Sequence, residues 1–185
     1  VGPQHPVLKE TGHFEIEVDG EIVTAATVRL GHVHRGIEKG VERHDWAAAM
    51  YLLERICGIC SVAHHLGSVK AVEGAWGVTP TKQAVKLRQL ENFGEYIHSH
   101  ALSLVYLALP DFLLPDNHNV IAVAAKDPAL AKKGIELRMY GQQIIEAVGG
   151  RMIHPCAAVP GGMAGPLDGE KAAALVKEAP KALAT

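Results

Sequence analysis

The sequence predicts a mixed α+β protein in which an N-terminal antiparallel β-hairpin precedes a mainly α-helical body. Two patterns and one kind of punctuation predict it. Apolar and polar residues alternate with period 2 before residue 31. After it, apolar residues recur near the helical period. Ser, Thr, Asp, Gly and Pro stand where those helices would start and stop. The 185 residues can bury a sizeable core and read as one domain, with a β-rich lead-in over 1–30 and a mainly helical body over 31–185. Hydrophobic residues make up 48%, which suits a globular or interface-rich protein. A net charge of −2 gives no bulk attraction to nucleic acid, so no nucleic-acid partner is expected. Three cysteines, one of them isolated, do not make a secreted disulfide framework, which points to the cytoplasm. No basic-apolar-small signal opens the chain. The longest apolar run, Ala101 to Leu109, is too short to span a bilayer.

The elements follow in order. Residues 1 to 12 read as an irregular lead-in. Phe14, Ile16 and Val18 alternate with Glu15, Glu17 and Asp19, and Asp19-Gly20 is a hairpin signal. Glu21 to Leu30 supplies the second strand, and the pair is expected to be half-buried. Gly31 to Gly40 is turn-rich and carries His32, His34, Arg35 and Glu38. Asp45 caps a helix from Trp46 to Glu54 or Arg55. Gly58 breaks it from the next helix, Cys60 to Trp76, for which Ser61 is the expected cap. Thr79-Pro80 opens a long helix to Leu109, Thr capping and Pro in the first turn. Val85, Leu90, Phe93, Ile97, Leu104 and Val105 are its expected core stripe. His98 and His100 read as core or interface histidines. Pro110 to His118 is a loop. Asp127-Pro128 starts a helix stopped by Gly149-Gly150. Arg151 to Leu167 is a Gly- and Pro-rich connection, and Asp168 caps a short helix that Pro180 ends.

The chemistry concentrates in Glu54-Arg55-Ile56-Cys57-Gly58-Ile59-Cys60-Ser61-Val62-Ala63-His64-His65. Cys60 and His64, at i and i+4, share one helical face, and Cys57 reaches the same space from the turn. A helix N-terminus favours thiolate over thiol, and thiolates are soft ligands for nickel, zinc, copper or iron. A redox dithiol would follow a strand in a β-α-β pattern, and no strand precedes Cys57. A structural zinc site needs four ligands, and no second pair follows. Buried, inert cysteines are the bland alternative. Spacing alone leaves a metal site and inert or redox cysteines open. His65 is expected to point away from His64 and to be structural or exposed.

The wider string reads Arg-x-Cys-Gly-x-Cys-x-x-x-His from Arg55 to His64. It resembles the first cysteine motif of the large, catalytic subunit of nickel–iron (NiFe) hydrogenases. His34-Arg35-Gly36-Ile37-Glu38 resembles that family's Arg-Gly-x-Glu element. Gly150-Arg151-Met152-Ile153-His154-Pro155 and Pro160-Gly161-Gly162 resemble a further one. Gly2-Pro3-Gln4-His5-Pro6 looks like the membrane-bound branch and its relative, the quinone-site subunit of respiratory complex I. The resemblance implies the fold of the family's large subunit, of which it covers the N-terminal half. It implies a Ni–Fe centre, the iron carrying CO and CN ligands, that oxidises hydrogen or reduces protons heterolytically. Cys57 then resembles the nickel-terminal thiolate, Cys60 the bridging one, and His64 the histidine near the bridging sulfur. Glu38 resembles a carboxylate that binds a magnesium or similar ion. Arg55 belongs to the motif without an assigned role, orienting the loop or offsetting thiolate charge. Implied partners are an iron–sulfur small subunit, which would hold all the clusters, and membrane subunits that would place the protein at the cytoplasmic face.

Two departures stand against that pattern. The family's second Cys-x-x-Cys motif is absent, and Cys156 stands alone and reads as an inert thiol. The missing thiolates would come from another segment or chain, and the isolated 185-residue chain is expected to be inactive. Where the family places a glutamate for proton transfer, the chain has Thr11 or Gly12, with Glu10 the nearest carboxylate. A quinone-oxidoreductase subunit like that of complex I, or a metal-free docking subunit, is the alternative.

Overall fold

In the computed structural model of the protein, residues 12–30, 36–114 and 119–185 are described. Strand β1 (Gly12–Asp19) pairs antiparallel with β2 (Ile22–Leu30). Gly20, at φ +63°, makes the tight turn that only glycine adopts easily. The pairing shifts register between Glu17 and Val18. The hairpin is not half-buried as its alternation suggested. Phe14 is 52% exposed and Ile16 60%, and Val28, opposite Phe14, 53%. Two strands alone make no core, and no described helix covers either face.

The helical body begins with α1 (Ile37–Val41), a short helix inside the segment expected to be turns. Helix α2 (Trp46–Glu54) starts where Asp45 accepts a hydrogen bond from Ala48 N at 2.8 Å. After the cysteine turn comes α3 (Ser61–Trp76), closed by Gly77 in the left-handed conformation. Helix α4 (Lys82–Ala101) is capped by Thr81, not Thr79. The helix starts after the proline, where the Thr81 hydroxyl accepts from Ala84 N at 3.2 Å. The same rod continues as a π-helical stretch (Leu102–Ala108) and α5 (Leu109–Leu113), passing Pro110 where a loop was expected. Wider π turns relieve the clash a proline ring makes with the preceding turn. Helix α6 (Val120–Lys126) has only seven residues, too few to show a period in the sequence.

Helix α7 (Pro128–Gly149) is capped by Asp127 and stopped by Gly150 at φ +84°. A two-residue hairpin, β3 (Ala158–Val159) with β4 (Gly162–Met163), folds within the expected connection. Helix α8 (Gly169–Leu183) starts at the Asp168 cap but runs through Pro180. Val176, whose carbonyl Pro180 leaves unbonded, is exposed, so water can satisfy it.

The spine is the pair α4–α7. A Cβ on Gly94 would lie 2.8 Å from Gly141 O, and one on Gly141 only 2.5 Å from His98 N, so glycine at both positions sets the approach of the two helices. Against this pair, Met50, Val62, Leu66, Val69, Ile145 and Ala158 form the apolar core, drawn from α2, α3, α7 and β3.

Candidate metal site at the cysteine turn

Residues 55–60 link the end of α2 to the start of α3. Cys60 N donates to Cys57 Sγ at 3.2 Å. The Cys57 thiol is held down to about 5, chiefly by a hydrogen bond from the Cys60 side chain. Burial opposes this, while the backbone N–H groups of Cys60 and Ile59 and the nearby His64 add to it. Cys57 is therefore a thiolate at neutral pH. Both cysteines are half-buried and free of disulfides. His64 stands half-buried one turn into α3, its backbone N donating to Cys60 O at 3.3 Å. The structure thus sets Cys57 Sγ against the Cys60 backbone, with His64 one turn further along α3.

Arg55 and Glu38 are not joined to them. The Arg55 guanidinium turns back along α2. It pairs with Glu54, donates to Tyr51 O at 3.3 Å and lies 5.9 Å from the Tyr51 ring centroid. Glu38 is exposed in the first turn of α1. Cys156 is half-buried beyond α7, its backbone N bonded to Gly149 O. Among the described residues no three His, Cys, Asp or Glu side chains converge as a metal site. His32, His34, Arg35, Glu10 and the opening Gly2 to Pro6 lie outside the described residues.

The turn is held by residues that local patterns did not single out. Glu95 Oε2 on α4 accepts from Val62 N at 2.8 Å and Ala63 N at 3.2 Å. It, and not Ser61, satisfies the open N–H groups that begin α3. Ser61 Oγ instead accepts from His154 N at 3.1 Å. The His154 ring Nδ1 donates to Glu54 O at 3.0 Å, and its backbone sits at φ +54°, strained for a non-glycine residue. His98 Nε2 donates to Ile59 O, between the two cysteines, at 3.0 Å. The turn is gripped by α4 on one side and by the segment after α7 on the other.

These contacts shift the buried face of α4 away from the expected stripe, of which Leu90, Ile97 and Val105 are half-buried. Arg88, Glu91, Glu95 and His98 are buried, whereas Val85, Phe93 and Leu104 of the apolar stripe are 39%, 55% and 61% exposed. The readable signal was the small residues Ala84, Gly94 and Ala101 on the buried side, of which Gly94 lets α7 pack closely. Arg88 makes two hydrogen bonds to Glu73 and donates to Val159 O and Gly162 O, each at 2.9 Å. Gly161 N donates to Glu73 Oε1 at 2.8 Å. The Arg88 hydrogen bonds hold the Glu73 carboxyl below its usual range. The Pro160-Gly161-Gly162 element is thereby pinned to α3 and α4. His65 is structural, as expected. It is buried, and its Nε2 donates to Ala158 O at 2.9 Å.

The family model for nickel-dependent hydrogenases matches residues 35–136. One subunit of the F420-non-reducing hydrogenase vhu of Methanocaldococcus jannaschii is 47% identical over 150 residues, 78% of this chain and 36% of that protein. The NAD-reducing hydrogenase HoxS subunit beta of Cupriavidus necator is 36% identical over 177 residues, 85% of this chain and 35% of that protein. A crystal structure of an NAD+-reducing NiFe hydrogenase in its H2-reduced state matches with a TM-score of 0.81 at 36% identity. That match covers 98% of this chain and 42% of the other. The chain therefore spans about two-fifths of the length of the relatives it matches. No described helix is long and apolar enough to cross a membrane. With more than half of its residues inside the family match, and with the hairpin and helical body of the solved structure, the chain belongs to the nickel-dependent hydrogenase family.

Proposed function

We propose that this chain is the N-terminal half of a hydrogenase large-subunit domain and supplies the first thiolate pair of its Ni–Fe centre. The observation that carries the reading is Cys57, held as a thiolate in a turn fixed by Glu95, His98 and His154. Two soft thiolates fit nickel and iron by ligand type, and a rigid supporting shell is what such ligands need. When bound, that centre supplies a Lewis-acidic, redox-active metal at which hydrogen is split heterolytically. Cys57 and Cys60 hold it, His64 orients the Cys60 side, and the Cys60 N–H tempers the basicity of the Cys57 sulfur. CO and CN on the iron and a magnesium ion at Glu38 complete the expected cofactor set. The remaining two thiolates come from a segment or chain carrying a second Cys-x-x-Cys, and electrons leave through an iron–sulfur small subunit. Arg55, paired along α2, acts on the turn from outside by fixing the end of that helix. The quinone-site alternative rests on the opening residues, which the structure does not describe, and has no counterpart to Cys57 and Cys60.

The test is metal analysis and hydrogen-dependent dye reduction on the full-length protein purified with its partners. Nickel and iron should be present together and be lost in Cys57→Ser and Cys60→Ser. Hydrogenase activity that survives both substitutions, or zinc as the only bound metal, would rule the reading out.

A further inference from the structure

Arg88, Glu91, Glu95 and His98 line one face of α4 at helical spacing, and all four are buried. Arg88 pins the β3–β4 hairpin, Glu95 caps α3, and His98 holds the cysteine turn. Glu91 has no such task. Its side chain is 0% exposed, and neither carboxyl oxygen has a hydrogen-bond partner among the described residues. Gly149 makes room for it: a Cβ there would collide with Glu91 Oε1 and Pro155 Cβ. A buried carboxyl without partners is costly, and a leucine or methionine would fill the same space without that cost.

A titratable pair, Glu54 and His65, lies within electrostatic reach of it through His65. His65 Nδ1 is 2.9 Å from Glu54 Oε2, though out of line for a well-directed hydrogen bond. Because Nε2 is already the donor to Ala158 O, Nδ1 and Glu54 Oε2 must share one proton to sit so close.

We propose that Glu91 is a proton-carrying residue of the cysteine site, exchanging its proton with the Glu54–His65 pair; this rests on the hydrogenase reading above. Heterolytic splitting releases a proton inside a buried site, and that proton has to be taken up by titratable groups. Glu91 stands one helical turn, about 6 Å along the axis, from Glu95, which grips the first turn of the cysteine helix. The groups that act on it are His65 from α3 and Glu95 and Arg88 from its own helix. Glu54 of α2 stands behind His65, while Gly149 and Pro155 on the remaining side bring no charge. Burial raises the Glu91 carboxyl to about 7, with His65 and Arg88 opposing and Glu95 adding, so it gains and loses its proton near neutrality. The bonds that change are O–H at Glu91 and Glu54 and N–H at His65. No electron passes through them.

The test uses the full-length protein in its native complex, as wild type, Glu91→Gln and Glu91→Asp. It reads isotope exchange between D2 and water across pH, infrared difference spectra of the carboxylic-acid band, and nickel and iron content. The wild type should show a protonated-carboxyl band that is lost in Glu91→Gln and moved in Glu91→Asp. Glu91→Gln should keep its metals, lose exchange by about 100-fold and lose the pH step near neutrality. Glu91→Asp should recover part of the rate. A Glu91→Gln enzyme within about twofold of wild type, with the same pH profile, overturns the proposal. If the glutamine variant does not accumulate, an unchanged band and profile in Glu91→Asp overturns it instead. A wild type with neither metals nor exchange overturns the hydrogenase reading, and this proposal with it, before any variant is compared.

Discussion

Glu91 makes the stability of this protein depend on pH in a direction that can be worked out. Its folded value of about 7 lies above the ordinary 4.5, so the folded state holds the proton more tightly than the unfolded one. The stabilising contribution is full below the unfolded value and is lost as pH rises through the folded one. A gap of that size corresponds to about 3 kcal/mol. His65 acts at the other end. Burial lowers its pKa, so protonating it as pH falls costs the fold. In the full-length protein, the wild-type melting temperature should therefore drop more steeply than that of Glu91→Gln between about pH 5 and about pH 8. Parallel melting curves would rule the assignment out. The residues of the candidate site were unequally legible. Cys57, Cys60 and His64 are joined by spacings of three and four, which any helix or turn makes local. Glu95, His98 and His154 reach the same turn from 33, 39 and 100 residues away. No local pattern records such distances, and a buried glutamate reads as a solvated one until its partners are known.

Among the elements, end signals survived translation into structure better than faces did. Asp45, Asp127 and Asp168 each accept backbone N–H groups where their helices begin, because a cap needs only the residues beside it. The buried face of α4 did not follow from its apolar residues, because Gly94 and Gly141 bring α7 in along the polar side. That geometry predicts the effect of a single methyl group. Gly141→Ala would set a carbon 2.5 Å from His98 N and 2.6 Å from Gly94 O, both backbone atoms that cannot turn aside. A loss of about 3 kcal/mol is expected. Gly67→Ala, where nothing lies within 4 Å, should cost nothing and gain up to about 1 kcal/mol from helix propensity. Denaturation of the two variants side by side checks this, and equal midpoints would contradict the packing. A cap supplied from another helix makes a second prediction. Glu95→Ala leaves the N–H groups of Val62 and Ala63 without their acceptor. It should destabilise by about 3 kcal/mol and lower nickel content, because those groups open the helix that carries the thiolates. Unchanged melting and full nickel occupancy would show that α3 does not depend on Glu95.

At the scale of the whole molecule, the apolar residues that failed to become core carry the remaining information. Phe14, Ile16 and Val28 on the hairpin are exposed, as are Phe93 and Leu104 along the α4 rod, Phe112 at 76% and Ile121 at 74%. Trp46 and Trp76 meet edge to face at 4.8 Å, yet each is about half exposed. So much apolar surface on so many elements marks interaction surface. On the function proposed above, the site has a matching need. The chain has three cysteines, and Cys156 is bonded by its backbone to the end of α7 and not to the cysteine turn. One copy therefore offers the turn the Cys57–Cys60 cysteine pair. Two thiolates leave nickel open to water and adventitious ligands. The 185-residue chain produced alone should then bind a hydrophobic dye strongly, self-associate, hold no assembled Ni–Fe centre and show no hydrogen uptake. Co-production with a segment carrying a second Cys-x-x-Cys should quench the dye signal and allow nickel and iron to be retained together. Both changes should require Cys57 and Cys60 only for the metals, because the apolar surfaces pair without them. Hydrogen uptake by the nickel-loaded chain alone would refute the prediction, and so would dye binding that co-production leaves unchanged.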